Sequence, residues 1–298
     1  MAHTTVNLEG LIQDYIHAHE DELIAKTPVG SKSARYFYLM LGVKSKDAIP
    51  YLESEVELGD GSQCGWNPAG SDTYGNRLIE VKPVEVNKEI CQRDFRTTNL
   101  NHELRWAAGM EKLPFAEAYV ASQQAAIDEA VENALWQGIP ALSINGIIAH
   151  ASAELASSNK VDLSGLSTWT EKIDAMVAAT PTFALKKGVD LFINTGDFMT
   201  YANEQNANCC SNIGVIDAMA EEYVLPGNSK VRLIPVDGIP AGKMVVAPRL
   251  GLVEGTDVEN SDNIYEFFYD RVPANFKFRC LFQFGTAIKF PDATVLGE

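Results

Sequence analysis

The sequence predicts an α+β fold, on three observations. Leu113 to Gly138, LPFAEAYVASQQAAIDEAVENALWQG, carries apolar residues at helical spacing, with Ala116, Val120, Ile127, Val131 and Leu135 on one stripe. Near the C-terminus the period changes to two: Phe276, Phe278, Cys280, Phe282 and Phe284 alternate with Asn275, Lys277, Arg279, Leu281 and Gln283, the pattern of a strand with one buried face. Between these, Val161 to Leu233 mixes helix caps, short apolar runs and turns in the manner of a compact α/β lobe.

In chain order, Val6 to Lys26 reads as a short amphipathic helix built on Leu8, Leu11, Ile12, Tyr15, Ile16, Leu23 and Ile24. Thr27-Pro28 and a Gly-Ser loop end it, and Ala34 to Leu41 is a second apolar piece. Residues 1–47 are therefore either an arm that packs on something else or a helix docked on its own domain. His17 and His19 point in different directions on a helix and make a poor metal pair. From Ala48 to Arg93 the pattern turns to strands, and 48–94 reads as one long hairpin with arms Ile49–Leu58 and Leu78–Ile90. Its wide tip, Gly59 to Asn76, is dense in turn formers and holds Trp66 and Tyr74. A two-stranded ribbon is marginal in water alone, so another surface should hold it. In an enzyme the tip would be a lid; in an assembly the ribbon would lie across a neighbour.

Residues 95–160 carry the long helix, opened by Pro114 and stopped by Gly138-Ile139-Pro140. At 1.5 Å per residue it is about 37 Å long and needs a long partner surface. The aromatic strand and its predicted partner Tyr265–Arg271 supply one. Glu117, Asp128, Glu129 and Glu132 fall largely off the apolar stripe and read as a solvated or partner-facing surface rather than acid-base catalysts. His150, alone among small residues, reads as a structural group. In 161–234, Thr168-Trp169-Thr170-Glu171 has capping-box spacing, Val189–Ile193 is a short buried strand, Phe198–Asn206 a helix and Lys230–Ile234 a strand; Asn212–Tyr223 fits either helix or strand. Residues 235–298 return as strands, beginning with Met244–Ala247.

Composition excludes several function classes. A net charge of −16 with dispersed Lys and Arg gives no broad nucleic-acid surface and keeps a free subunit soluble. The five cysteines, Cys64, Cys91, Cys209, Cys210 and Cys280, form no C-x-x-C pair, so no zinc site is expected. Their odd number fits reduced thiols, or one bridge between subunits. No signal-peptide pattern opens the chain and no apolar run is long enough to cross a membrane. Nucleotide-binding, metalloprotease and serine-hydrolase motifs are all missing, and Asp60-Gly61-Ser62 and Asp237-Gly238 are turns rather than calcium loops. No catalytic residue, cofactor or metal ligand is assigned.

The order of parts, an arm, a long hairpin, a long helix with a Gly-containing apolar loop, an α/β lobe and returning strands, resembles the tailed-phage major capsid protein family, whose fold also occurs in encapsulins and in the herpesvirus capsid floor. Ile127 to Gly138 looks like that family's spine-helix end, Asn145-Gly146-Ile147-Ile148 like the segment after it, Val189–Asn194 followed by Phe198 like a stretch of its axial domain, and Pro235 to Met244 like its return. The resemblance implies an N-terminal arm (1–47), an E-loop hairpin (48–94), a peripheral domain (95–160) with spine helix 113–138, an axial domain (161–234) and return strands of both domains (235–298). It also implies a structural protein that self-assembles as hexamers and pentamers into an icosahedral shell around double-stranded DNA. Its partners would be itself, portal, scaffolding and decoration proteins and, non-specifically, the packaged DNA, with no membrane; its place would be the virion, and the host cytoplasm during assembly.

Trp66 and Tyr74 at the hairpin tip are the candidate contacts between subunits, since aromatics dominate interface hot spots. Too few residues precede the hairpin for the cleaved scaffolding segment of some family members, so none is expected. Lys82 and Lys88 lie on the hairpin, but no motif assigns to them the Lys–Asn cross-link of other members. The competing readings are an encapsulin-like compartment and a soluble α/β enzyme with a hairpin lid.

Overall fold

The computed structural model describes Gln13, Ile16 and Ala18, and residues 31–57, 71–91, 113–207, 216–217, 219–257, 265–270 and 275–298. A turn of 3-10 helix at Ala34–Tyr36 leads into β1 (Tyr38–Met40), β2 (Lys46–Glu55), β3 (Ser71–Glu80) and β4 (Lys82–Cys91). Helix α1 (Leu113–Gln137) is followed by β5 (Gly138–Ile139), β6 (Ile144–Asn145) and α2 (Ile147–Glu154). The lobe supplies β7 (Lys160–Val161), α3 (Trp169–Ala179), α4 (Thr182–Lys187), β8 (Val189–Asn194), α5 (Thr195–Ala207), β9 (Tyr223–Val224) and β10 (Val231–Val236). The return is β11 (Met244–Pro248), β12 (Leu252–Gly255), β13 (Tyr265–Asp270), β14 (Asn275–Ile288) and β15 (Val295–Gly297). The predicted helix at 6–26 lies outside the described residues except for Gln13, Ile16 and Ala18, which are helical; Ile16 is buried in the main core.

Helix α1 has the bounds its periodicity predicts. Val120, Ile127, Val131 and Leu135 are buried, and the chain leaves the helix at Gly138, whose φ of +79° is the left-handed conformation of a helix terminator. A Cβ there would sit 2.4 Å from the carbonyl oxygen of Ile144, so the ladder of β5 with β6 closes against it. Beneath the helix lies the aromatic face of β14: Phe276, Phe278, Cys280, Phe282 and Phe284 are all buried. Tyr119 meets Phe267 and Phe278 edge-on at 5.7 and 6.3 Å, and Tyr265 Oη donates to Gln124 Oε1 at 2.5 Å. As predicted, β13 pairs with β14, Tyr265 opposite Cys280. The other side of β14 is taken by β4, antiparallel from Cys91 opposite Asn275 to Lys82 opposite Phe284.

That pairing corrects the predicted hairpin. Leu78–Ile90 is not one arm: β3 pairs back on β2, Ser71 opposite Glu55 through Glu80 opposite Lys46, whereas β4 belongs to the sheet under α1. The break is visible in the side chains. Ile79 and Val81 are buried on odd positions and Val84 on an even one, and a strand cannot change the parity of its buried face without breaking or bulging. At the break the chain crosses a notch made by two glycines that face each other, Gly255 on β12 and Gly285 on β14. A Cβ on Gly285 would lie 2.1 Å from the Glu80 carbonyl oxygen, and one on Gly255 would lie 2.8 Å from Ile79 Cδ1. Here a missing side chain permits the close approach of a backbone.

The lobe is a six-stranded sheet in the order β7-β15-β11-β8-β10-β9. Strand β8 is buried on both faces, which explains its unbroken apolar run. Val189, Leu191 and Ile193 join a core with Ile173, Met176, Phe198 and Tyr201 of α3 and α5. Phe192 points the other way, onto Trp136 of α1 with ring centres 4.9 Å apart, and so ties the lobe to the spine. The predicted capping box closes as expected: Glu171 N donates to Thr168 Oγ1 at 3.2 Å and Thr168 N to Glu171 Oε2 at 3.2 Å. Of Asn212–Tyr223, Ile216 and Asp217 are irregular and Tyr223 opens β9. Strand β12 was not expected from the sequence.

Candidate functional site

Three features stand out, two exposed surfaces and one buried joint. The first is the β2–β3 hairpin. Its base is fixed by Ile49 and Ile79, buried with Val43, Val81, Val253 and Ala287, and by an ion pair between Arg77 and Glu154 of α2. His150 Nδ1 lies 2.8 Å from Glu154 Oε1, and burial lowers the pKa of the ring; the histidine is a structural member of this joint, as the sequence suggests. Beyond the base, one face of the ribbon is open. Ala48 and Pro50 on β2 are exposed, and beside them Tyr74 and Leu78 on β3 are 77% and 70% exposed. Aligned apolar side chains on a ribbon that is unstable alone call for a covering surface. Tyr74 is thus on the surface and available for contact; Trp66 lies outside the described residues.

The second is a groove of about 220 Å³ between the hairpin and the lobe, lined by Tyr51, Arg77, Phe183, Lys187, Lys289 and Phe290 among others. Phe183 and Phe290 are partly solvent-exposed, and Lys289 Nζ stands 5.3 Å from the ring centres of both Tyr38 and Phe290. A broader depression of about 570 Å³ on the lobe is lined by Arg35, Arg232 and Arg249 facing Asp190, Glu221 and Glu222. Its charges are matched: Arg232 grips the buried Asp190 through Nε and Nη2 at 2.8 and 3.0 Å, and Arg35 pairs with Glu221 at 3.1 Å. Among the described residues no group of three His, Cys, Asp or Glu is placed to hold a metal ion, and no helix is long and apolar enough to cross a membrane.

The third is the seat of the arm on the spine. Glu132 is only 6% exposed, which corrects the expectation of a solvated acidic face. Glu132 Oε2 accepts from Ser33 N at 2.9 Å and Oε1 from Ser33 Oγ at 2.5 Å, while Trp136 Nε1 donates to Ser33 Oγ at 2.8 Å and to Glu132 Oε1 at 3.2 Å. Phe37 then wedges between Trp136 and Phe192, with ring centres 5.5 and 6.2 Å away. The acid is buried because it satisfies the donors that bring the arm across the helix. Glu129 is exposed and Asp128 half-buried, closer to what the pattern implied.

These parts are also found together in known structures. The chain superposes on a chain of the satellite phage P4 procapsid with a TM-score of 0.61, over 96% of this chain and 95% of that one, at 10% identity. The chain has the shell fold of phage capsids and encapsulins. The capsid of the native GTA particle gives a TM-score of 0.57 at 10% identity, covering 91% of this chain and 89% of that one. The SrpI encapsulin of Synechococcus elongatus PCC 7942 gives 0.53 at 12% identity, covering 89% and 85%. The chain matches no protein-family model and no curated protein. The shell fold therefore persists here in topology, with the resemblance in sequence confined to the order and spacing of its parts.

Proposed function

We propose that this chain is a major capsid protein, which self-assembles as hexamers and pentamers into the icosahedral shell of a tailed phage and encloses its double-stranded DNA. The observation that carries the reading is the open apolar face of the β2–β3 hairpin, Tyr74 and Leu78 with Ala48 and Pro50, on a ribbon whose base is anchored in the core. Burying this face on a neighbour would make each contact heterologous, so that subunits close into rings, and many modest contacts then add through multivalency. In that reading the hairpin is the E-loop, residues 1–47 the arm, 95–160 the peripheral domain, 161–234 the axial domain and 235–298 their shared return. Trp66, at the predicted tip, and Tyr74 are the anchors between subunits. Portal, scaffolding and decoration proteins are the further expected partners, the virion the final location and the host cytoplasm the place of assembly. The net charge of −16 suits a wall that need not grip the DNA it contains.

The similarity to the SrpI encapsulin supports a second reading, a compartment that encloses protein instead of a genome. One preparation separates the alternatives. Negative-stain microscopy of the expressed chain should show closed shells, and particles isolated from the native source should hold nuclease-protected DNA. Shells filled with protein and no nucleic acid would favour the compartment; a monomer or small oligomer at every concentration would overturn both.

A further inference from the structure

Glu254 on β12 is 1% exposed, and among the described residues neither of its carboxyl oxygens has a hydrogen-bond partner. Its ladder neighbours carry no charge: Leu39 on the arm strand β1 and Thr286 on β14, whose hydroxyl donates to the Asn145 carbonyl at 2.7 Å. Tyr38, also on β1, is an exposed ring next to the Lys289 ammonium. Among the described residues, the charged group that acts on Glu254 is Glu132 of α1, the same carboxylate that holds Ser33 of the arm. Two buried acids on elements that carry the arm thus act on each other. One is fully engaged by arm and spine donors; the other has none.

A buried carboxylate with no protein donors, acted on by a second acid, is the disfavoured form of the group. Burial first, and then the Glu132 charge, push the Glu254 carboxyl up to about 8. We propose that Glu254 is a proton-operated lock on the arm: while it carries a proton, residues 31–40 stay seated on the spine, and loss of that proton releases them. The arm is the element that yields. It is held here by the Glu132 contacts, the rings of Phe37 and Tyr36 against Phe192, the exposed Arg35–Glu221 pair and the short ladder of β1 with β12, Tyr38 opposite Val253 to Met40 opposite Gly255. Across Glu254, β12 pairs with β14 from Leu252 opposite Ile288 to Gly255 opposite Gly285, and β14 runs on from there into its ladders with β4 and β13. Lifting the arm admits water to the carboxylate.

The sign follows from the direction of the shift. The seated state binds the proton more tightly than an exposed carboxyl does, so seating is fully favoured below the ordinary carboxylate range. It weakens as the pH rises through that range and on to about 8. Across that window one proton is lost per opening, and the opening constant grows up to about tenfold per pH unit before it levels off. Hydrogen exchange read by mass spectrometry on the full-length chain, from about pH 5 to pH 8.5 and corrected for the intrinsic rate, tests this. Protection of the 33–40 amides should fall along that slope in the native chain and stay high and flat in Glu254→Gln, with β8 flat in both. An infrared band of a protonated carboxyl at neutral pH should vanish in the same variant. An equal slope in Glu254→Gln, or loss of protection shared with β8, overturns the lock. Where Glu254→Gln accumulates no folded protein, the native chain decides: arm protection that stays flat across the window overturns it.

Discussion

Truncating Tyr74 separates an assembly contact from a folding contact, because the side chain is 77% exposed in the subunit. A tyrosine side chain offers on the order of 200 Å², so roughly 150 Å² remains open here. At about 25 cal/mol per Å², covering it fully is worth up to about 4 kcal/mol, and the cost of ordering the ribbon reduces this. A contribution of about 2 kcal/mol would still meet the usual definition of a hot spot. It corresponds to a rise of roughly thirtyfold in the subunit concentration at which shells form. The free subunit should hardly change, since exposed substitutions away from caps and cores alter stability by about 0.5 kcal/mol or less. Static light scattering against concentration gives the assembly threshold of Tyr74→Ala, and urea unfolding monitored by fluorescence gives the subunit stability. Tyr74→Phe, which keeps the ring, should assemble close to the native threshold. If the Tyr74→Ala threshold falls within about twofold of native, the face is not a subunit contact and the reasoning from its exposure fails.

Three other perturbations probe the frame. Trp136→Phe removes the indole donor to Ser33 Oγ and Glu132 Oε1 and leaves a gap beside Phe37, so urea midpoints should report a loss of about 2–4 kcal/mol. Gly285→Ala drives a methyl against the Glu80 carbonyl oxygen. The hairpin base must shift off β14, which should cost at least about 3 kcal/mol, whereas alanine at the open Gly165 should cost nothing measurable by the same assay. Burial pushes the Cys280 thiol up to about 12, so its alkylation near pH 8 should be at least about a thousandfold slower than that of a free thiol. Peptide mass spectrometry reads this rate, and fast labelling of Cys280 in folded protein would contradict its place under α1.

How much of this was legible in the sequence depended on whether one period ran long enough. Helix α1 keeps its apolar stripe to Leu135 and then meets a glycine, so its extent could be read directly. Strand β14 keeps period two from Phe276 to Phe284. The hairpin was misread because charged and apolar residues alternate on both sides of residue 81. The signal that could have divided it was the change of parity from Ile79 and Val81 to Val84 and Val86, next to Pro83. Glu132 reads as a solvated or partner-facing acid because it groups with the other acids off the apolar stripe. Its position one turn before Trp136 places it beside the apolar stripe, where an acid stays only if donors come to it, and those donors lie 99 residues away on the arm. Glu254 sits in a run of four residues, Leu252 to Gly255, too short to show a period. No local pattern places it under the arm.

The two glycines bring arm, hairpin and spine sheet together despite the distances between them in the chain. Strand β14 carries the aromatic face under α1 up to Phe284, crosses the notch at Gly285, and continues through Thr286 opposite Glu254. Across that notch runs the turning point between β3 and β4, with Val81 N bonded to Ser45 O at 2.8 Å. On the far side of β12, the arm adds β1, with Met40 opposite Gly255. Hairpin base, arm strand and spine sheet therefore meet within one residue of Gly255 or Gly285, where a side chain on either strand would force them apart. A change in hairpin angle would reach Ile79 and Val81 first, and the arm strand β1, paired on β12 over only three residues ending at Gly255, is the neighbouring element expected to respond. If this coupling operates, covering the hairpin face should also alter hydrogen exchange at 38–40. A shell in which those amides exchange as they do in the free subunit would show that the notch joins the parts without transmitting motion between them.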